Sequence, residues 1–410
     1  PITHSRYVWP HYSHILCLLV VWVMAVPFMY FGTKAMGKAS YSLILPVVIM
    51  IALTIAGFVR LDSGDRLKPF WALTFSVEKA YSYESWLDAS SLVVAALNLG
   101  TGSHIYLASH NDFSHPFTRD IKIIGGVGCI LNFLVTVLIL PYFWQLSDHL
   151  YNMGSTGENP MVLLNALGHY TEVASPAEVL SRDGALGVFA VFLYYFACFF
   201  FQSITAAICM HIVYQCVLDR FAPVSPTIKQ KMIIIVLLVL GGFLSSFFFI
   251  SAGGFVQLYL LERFITLSSF FLCLIELVAL MHVYGFKRFI INVRTMTGGV
   301  GPVNIIWWIS WIILAPVLLG ASFIGEIVNL SISESLYGTF IIPDAFYRSA
   351  WTVVIVSLMW IPLVGLYRLR RCYNENEAKM KLFKSTPEWG PAERQARENA
   401  KFNERAMRVR

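Results

Sequence analysis

Charge is scarce in this sequence: 13% of its 410 residues are Asp, Glu, Lys or Arg, while 57% are hydrophobic. An ordinary soluble domain has about 25% charged and about 45–50% apolar residues, so a water-soluble fold is excluded. Enzyme signatures are also missing. His-Glu-x-x-His and Gly-x-x-x-x-Gly-Lys-Ser/Thr do not occur, and the ten histidines are dispersed, which leaves no zinc-protease or phosphate-cradling motif and gives an enzyme reading no support. The seven cysteines, Cys17, Cys129, Cys198, Cys209, Cys216, Cys273 and Cys372, stand singly, all but the last inside apolar runs. That scatter predicts neither a disulfide framework nor a metal site. The chain opens Pro-Ile-Thr-His with no basic leader ahead of a short apolar core, so no signal peptide is expected before the first span.

What is abundant is long apolar runs. Crossing a hydrocarbon core of about 30 Å takes about 20 residues of helix, because every backbone polar group must be satisfied within the segment. Runs of that kind predict nine spans over 14–31, 40–58, 86–109, 119–145, 186–217, 230–250, 257–284, 303–324 and 348–369. An odd number puts the two ends on opposite sides of the membrane.

Charge, where present, is placed unevenly. From Arg368 to Arg410 there are twelve Lys and Arg against six Asp and Glu, which accounts for the whole formal charge of +6. A basic segment after a last apolar helix fits the cytoplasmic side, where anionic lipid attracts it. The interleaved acids and the lack of a recognition module argue against a nucleic-acid partner. With the tail inside, Lys34, Lys38, Arg119, Lys122, Arg220, Lys229, Lys231, Lys287, Arg288 and Arg294 all fall in inner connections, as the positive-inside rule requires. The outer connections are then 59–85, 146–185, 251–256 and 325–347. The last holds the sequon Asn329-Leu330-Ser331, which marks Asn329 as a glycosylation candidate. Segment 146–185 is read as a helical cap around Pro160 to Thr171, with a plain tether as the alternative. The expected organisation is a transmembrane bundle over 1–369 and a basic cytoplasmic tail over 370–410.

The third run is the most informative. Leu97-Asn98-Leu99-Gly100-Thr101-Gly102 interrupts it, and each Gly weakens a helix by roughly 1 kcal/mol. Two readings stand: close helix contacts at small residues, or a break whose free backbone groups line a cavity. The wider pattern favours the break. Trp86-Leu-Asp-Ala, the Leu-x-Leu-Gly-x-Gly element and Ala108-Ser-His-Asn-Asp-Phe followed by Arg119-Asp120 resemble the sixth helix and following loop of the neurotransmitter:sodium symporter family. Leu274-Ile275-Glu276 with Tyr284-Gly285, Gly253-Gly254, and Thr386-Pro-Glu-Trp-Gly-Pro391 extend the resemblance over nearly the whole chain.

The resemblance implies an all-α polytopic membrane protein with a LeuT-like inverted-repeat transporter fold, its spans matching the family's fourth to twelfth helices. The first three have no counterpart in this stretch, so a fragment, a processed product or part of a longer chain is expected. The family binds substrate at the midplane between broken first and sixth helices, which assigns Ala95, Asn98, Gly100 and Thr101 to the substrate site. Here Ala95 and Thr101 stand where relatives carry aromatics. The first sodium site's hydroxyl position is matched by Ala96 and its amide position by Gly128, with Asn132 one turn on. In the eighth helix the Asp of the second site falls on Ile204 and its Ser on Thr205, while Phe201 offers a backbone carbonyl. Between Gly37 and Pro46 the fifth helix is one residue shorter than usual. Glu262 matches the outer-gate acid, with pairing to Arg263 or headgroups as the alternative. Glu276 matches a structural acid, and His211 is read as an interior hydrogen-bonded group rather than a proton relay.

A midplane cation without a nearby carboxylate loses its strongest attraction. Sodium is therefore retained as a coupling ion only with degraded sites, and chloride is not expected. Two functions follow: a divergent sodium-coupled symporter of an amino acid or small amine in the plasma membrane, or a transport-inactive relative serving as accessory or scaffold subunit to a protein partner in a membrane complex. Membrane lipid is a partner in both.

Overall fold

The computed structural model describes residues 9–61, 81–152, 169–221, 226–297, 305–336, 344–374, 390 and 393–408. All regular structure among them is helical. In chain order the helices are α1 (Tyr12–Phe31), α2 (Thr33–Ser40), α3 (Ile44–Val59), α4 (Tyr83–Ala96), α5 (Ser103–Ala108), α6 (Phe117–Asn152), α7 (His169–Leu180), α8 (Gly184–Phe221), α9 (Ile228–Phe249), α10 (Ala252–Val278), α11 (Phe286–Thr297), α12 (Ile305–Ile309), α13 (Ala315–Leu336), α14 (Asp344–Asn374) and α15 (Arg394–Arg408). Two π-helical turns, Ala279–Gly285 and Ser310–Leu314, join α10 to α11 and α12 to α13.

Eight helical runs among the described residues are long and apolar enough to cross a membrane. They correspond to eight of the nine expected spans. The ninth is the interrupted one, divided into α4 and α5. Large apolar side chains such as Leu237, Leu244, Ile130 and Phe133 are exposed along these helices, as expected where lipid rather than water is the neighbour. The chain is an all-α polytopic membrane protein.

The fold divides into two compact units. One comprises residues 16–79 and 123–244. Its main core gathers Leu53 of α3, Leu138 and Tyr142 of α6, Leu180 of α7 and Tyr194 of α8. Pro141 and Tyr142 are fully buried there, and Gly57 lets them approach, because a Cβ at 57 would lie 3.0 Å from both rings. Tyr142 donates its hydroxyl hydrogen to the Leu53 carbonyl at 2.6 Å, and Gln145 donates to the Gly57 carbonyl at 3.1 Å. A smaller core joins Met29, Tyr214 and Ile235.

The other unit comprises residues 1–15, 80–122 and 245–410. Leu261, Phe264 and Leu267 of α10 pack with Leu330 of α13 and with Ala350 and Val354 of α14. Ser251 caps α10 by accepting the Gly254 N–H at 3.0 Å. The turn from α9 is so tight that a Cβ at 254 would clash with the Phe248 carbonyl oxygen, so Gly254 serves a close approach.

Two expectations about the connections change. The outer loop expected from 325 is helical to Leu336, because Leu330 carries the helix's apolar face on into the α10–α14 core. Asn329 is therefore a half-buried helical residue rather than a loop residue. Of segment 146–185, α6 covers the start and α7 begins at His169; Pro160 to Gly168 lie outside the described residues, as do Thr386 to Trp389 in the tail.

Candidate functional site

The interruption of the third run starts from local sequence. Ser82 caps α4 by accepting the Ser85 N–H at 3.3 Å, with Glu84 in the first turn, where a negative charge suits the helix dipole. The helix runs to Ala96 and then unwinds. Asn98 has φ 50°, Gly100 φ 75° and Gly102 φ 78°, all left-handed, a conformation open to Gly and tolerated by Asn. Three such residues in five cannot continue a right-handed helix, so the chain leaves α4 and re-enters helix at Ser103.

Side chains close this loop on itself. Asn98 donates its amide N–H to Ser103 Oγ at 2.8 Å, and Thr101 donates to the Asn98 carbonyl at 2.9 Å. The Thr101 and Ser103 hydroxyl oxygens are 2.6 Å apart. His104 Nε2 donates to the Leu97 carbonyl at 2.5 Å. Ser103 is buried, while Thr101, Ala95 and Ala96 are exposed and Asn98 and Gly100 half-buried. The loop rests on α10 through Gly100: a Cβ there would lie 2.9 Å from the Ser269 carbonyl oxygen and 3.3 Å from Cys273 Sγ. Of the four residues assigned to substrate, Ala95 lies in the last turn of α4 and Asn98, Gly100 and Thr101 in the unwound stretch, where Thr101 is hydrogen-bonded to Asn98.

On its other side α4 is fastened to α13. Ser90 and Ser322 hydroxyls meet at 2.6 Å, Ser91 donates to Glu326 Oε1 at 2.9 Å, and Tyr83 donates its hydroxyl hydrogen to the Ala321 carbonyl at 3.0 Å. A Cβ at Gly325 would fall on the Tyr83 hydroxyl. A carboxylate inside an apolar span is costly unless hydrogen-bonded, and the α4 hydroxyl meets that need.

In the unit built on α8, Ile204 is buried and Thr205 exposed, and Thr205 donates its hydroxyl hydrogen to the Phe201 carbonyl at 3.1 Å. The two residues expected to offer oxygens are bonded to each other along the helix. Gly128 has open space at its Cβ position. An apolar recess between α1 and α8, lined by Trp22, Phe28, Ser203 and Met210 among others, includes none of the predicted site residues. His211 is buried against Gly32 and the Tyr214 ring. In the unit built on α10, Glu262 is exposed and so is Glu276, one turn before the π-helical Ala279–Gly285.

Sequence reasoning missed Ser103, Ser269 and the Ser91–Glu326 bond. Ser103 had a local signal, a hydroxyl just past the last glycine of the break. Ser269 and Glu326 had none, because their partners lie 169 and 235 positions away in sequence.

Residues 8–372 match the Sodium:neurotransmitter symporter family. The chain is similar to the sodium- and chloride-dependent neutral and basic amino acid transporter B(0+) of Homo sapiens, 22% identical over 92% of this chain and 57% of that protein. It is also similar to the sodium- and chloride-dependent glycine transporter 2 of Xenopus laevis, at 23% over 92% of this chain and 46% of that protein. The sodium-dependent serotonin transporter of Drosophila melanogaster matches at 24% over 86% of this chain and 54% of that protein. The chain spans about half the length of the curated relatives it matches.

Proposed function

The chain belongs to the Sodium:neurotransmitter symporter family, and from that premise we propose that it forms the greater part of a secondary transporter for an amino acid or a small amine. The observation that carries this reading is the break at Leu97 to Gly102, with left-handed Asn98, Gly100 and Gly102 inside an otherwise apolar run. Unwound backbone in a membrane protein is stable only in protein or against a cavity, and discontinuous helices bind substrate in transporters with a LeuT-like inverted repeat. The names of the relatives, transporters of neutral and basic amino acids, glycine and serotonin, support the substrate class. Backbone groups near Ala95, Asn98 and Gly100, with the Thr101 hydroxyl, are the substrate contacts of this reading. Glu262 is its outer-gate acid, the plasma membrane its location, and the cytoplasm the side of its tail.

In this reading ordinary two-site sodium coupling is lost. Ala96, Gly128 and Ile204 each lack a side-chain oxygen, and the Thr205 hydroxyl is engaged with the Phe201 carbonyl. A cation left in low dielectric with too few ligands costs several kcal/mol, at about tenfold in affinity per 1.4 kcal/mol. The test is uptake by the full-length protein in liposomes under an imposed sodium gradient, across a panel of amino acids and amines. Saturable uptake with a sodium Hill coefficient below two, or independent of sodium, is expected; a coefficient near two refutes the loss of coupling.

The buried, apolar Ile204 also favours a second reading, a transport-inactive accessory or scaffold subunit in a membrane complex. Absence of uptake of every solute by folded full-length protein would select it.

A further inference from the structure

The tail helix α15 has two unlike sides. Ala396, Ala400 and Asn403 recur at helical spacing on one of them. Asn403 donates to Thr295 Oγ1 of α11 at 3.1 Å, and Ala396 and Ala400 are half-buried. Arg394, Lys401 and Arg405 recur on the opposite side and are exposed, the Arg394 side chain to 92%. Beside them Phe402 is 71% exposed, an aromatic ring that packing in α15 does not explain. On this side Glu398 pairs with Arg394 at 3.1 Å, a solvent-exposed i,i+4 contact that removes little of the positive field. On α11 itself Lys287 and Arg294 are exposed as well.

The level of this pair of helices relative to lipid follows from its neighbours. The apolar helical run that begins at Leu260 is interrupted at Gly285, whose φ is 99°. The stretch from Leu260 to Gly285, about 39 Å at the helical rise, is enough to cross a hydrocarbon core of about 30 Å. The segment beyond it, α11, with Lys287, Arg288 and Arg294, therefore lies at one edge of the core. Around it Phe289 and Trp311 are 5.5 Å apart, Trp307 and Trp311 5.1 Å, and Phe286 and Trp311 6.4 Å; the Arg288 guanidinium lies 4.7 Å over the Tyr284 ring. Aromatic rings with polar edges collect at headgroup depth. A helix bonded to α11 at Thr295 is thus held at the edge of the bilayer with its basic side turned away from the protein.

We propose that α11 and α15 form a docking platform for the anionic phospholipid headgroups of the surrounding leaflet, with Arg394, Lys401, Arg405, Lys287 and Arg294 facing the phosphates and Phe402 entering the interface. This rests on the cytoplasmic placement of the tail proposed above, since anionic lipid is concentrated in that leaflet. Charge complementarity selects the occupant: an amphipathic basic helix with one exposed aromatic ring suits a charged lipid surface better than an apolar groove on a protein.

The test is amide hydrogen exchange over 394–408 in the full-length protein, reconstituted in lipid discs of phosphatidylcholine alone or with phosphatidylserine. Each basic residue near an anionic surface contributes about fivefold, so exchange should slow by about tenfold or more in the anionic discs. The slowing should be lost in R394Q/K401Q/R405Q and kept in the charge-preserving R394K/K401R/R405K. Unchanged exchange of the Gln variant in phosphatidylcholine discs shows that α15 is still folded on α11. Equal exchange of the wild type in both discs overturns the proposal, as does slowing that the Gln variant retains. Both leaflets of a disc carry the same lipid, so a negative result is independent of tail orientation, which protease protection tests separately.

Discussion

Substituting Gly100 by Ala probes the break and its support on α10 together. Two costs arise. The residue has φ 75°, and a left-handed conformation costs an L-residue with a side chain about 1–2 kcal/mol. The new methyl would also stand 2.9 Å from the Ser269 carbonyl oxygen and 3.3 Å from Ser269 Cα and Cys273 Sγ. Backbone cannot move aside as a flexible side chain can, and over-packing of this kind costs about 1–3 kcal/mol. Gly102 separates the two costs, because its φ is 78° but nothing lies within 4 Å of its Cβ position. Gly100→Ala should therefore lose about 2–5 kcal/mol and Gly102→Ala about 1–2 kcal/mol. With an unfolding entropy of about 2.1 cal/mol/K per residue, cooperative melting of a chain this size shifts by about 1 °C per kcal/mol. Thermal unfolding in detergent, followed through the eleven tryptophans, should place Gly100→Ala about 2–5 °C below the wild type and Gly102→Ala between them. If the two variants melt together, the contact with α10 is wrong. If Gly100→Ala melts with the wild type, the left-handed break is wrong as well.

Three further outcomes are expected. Tyr142→Phe leaves the buried ring in place but removes its hydrogen bond to the Leu53 carbonyl, which should cost about 1–3 kcal/mol in the same melting assay; a neutral variant would mean that the carbonyl needs no second donor. For Ser91 and Glu326, a cycle of Ser91→Ala, Glu326→Gln and the double variant should give a coupling energy of about 0.5–3 kcal/mol, whereas strict additivity would dissolve the α4–α13 fastening. In sealed right-side-out vesicles, protease added outside should spare the segment from Arg368 to Arg410, and cleavage there would reverse the proposed topology.

The helical membrane class was legible from the sequence because it depends on a local quantity. A run of about 20 apolar residues has few ways to satisfy its backbone in lipid, whatever surrounds it. The break was legible for the same reason: Asn98, Gly100 and Gly102 carry their conformational freedom with them. The roles proposed for Ala95, Ala96, Thr205 and Glu262 came from the family resemblance, since no periodicity points to them. Only the tertiary structure decided what holds the break in place. Gly100 is pressed on Ser269, Ser103 is buried to receive Asn98, and Ser91 reaches Glu326; two of these three contacts join residues far apart in sequence. It also carried α13 through Asn329, where the sequence had suggested a loop, because Leu330 finds a core in α10 and α14. A sequon reads the same in a loop and in a helix, and packing chose the helix. The basic stripe of α15 was likewise present as composition, but which side faces the protein was fixed by the bond from Asn403 to Thr295, a contact between segments whose distance along the chain hides it from any local pattern.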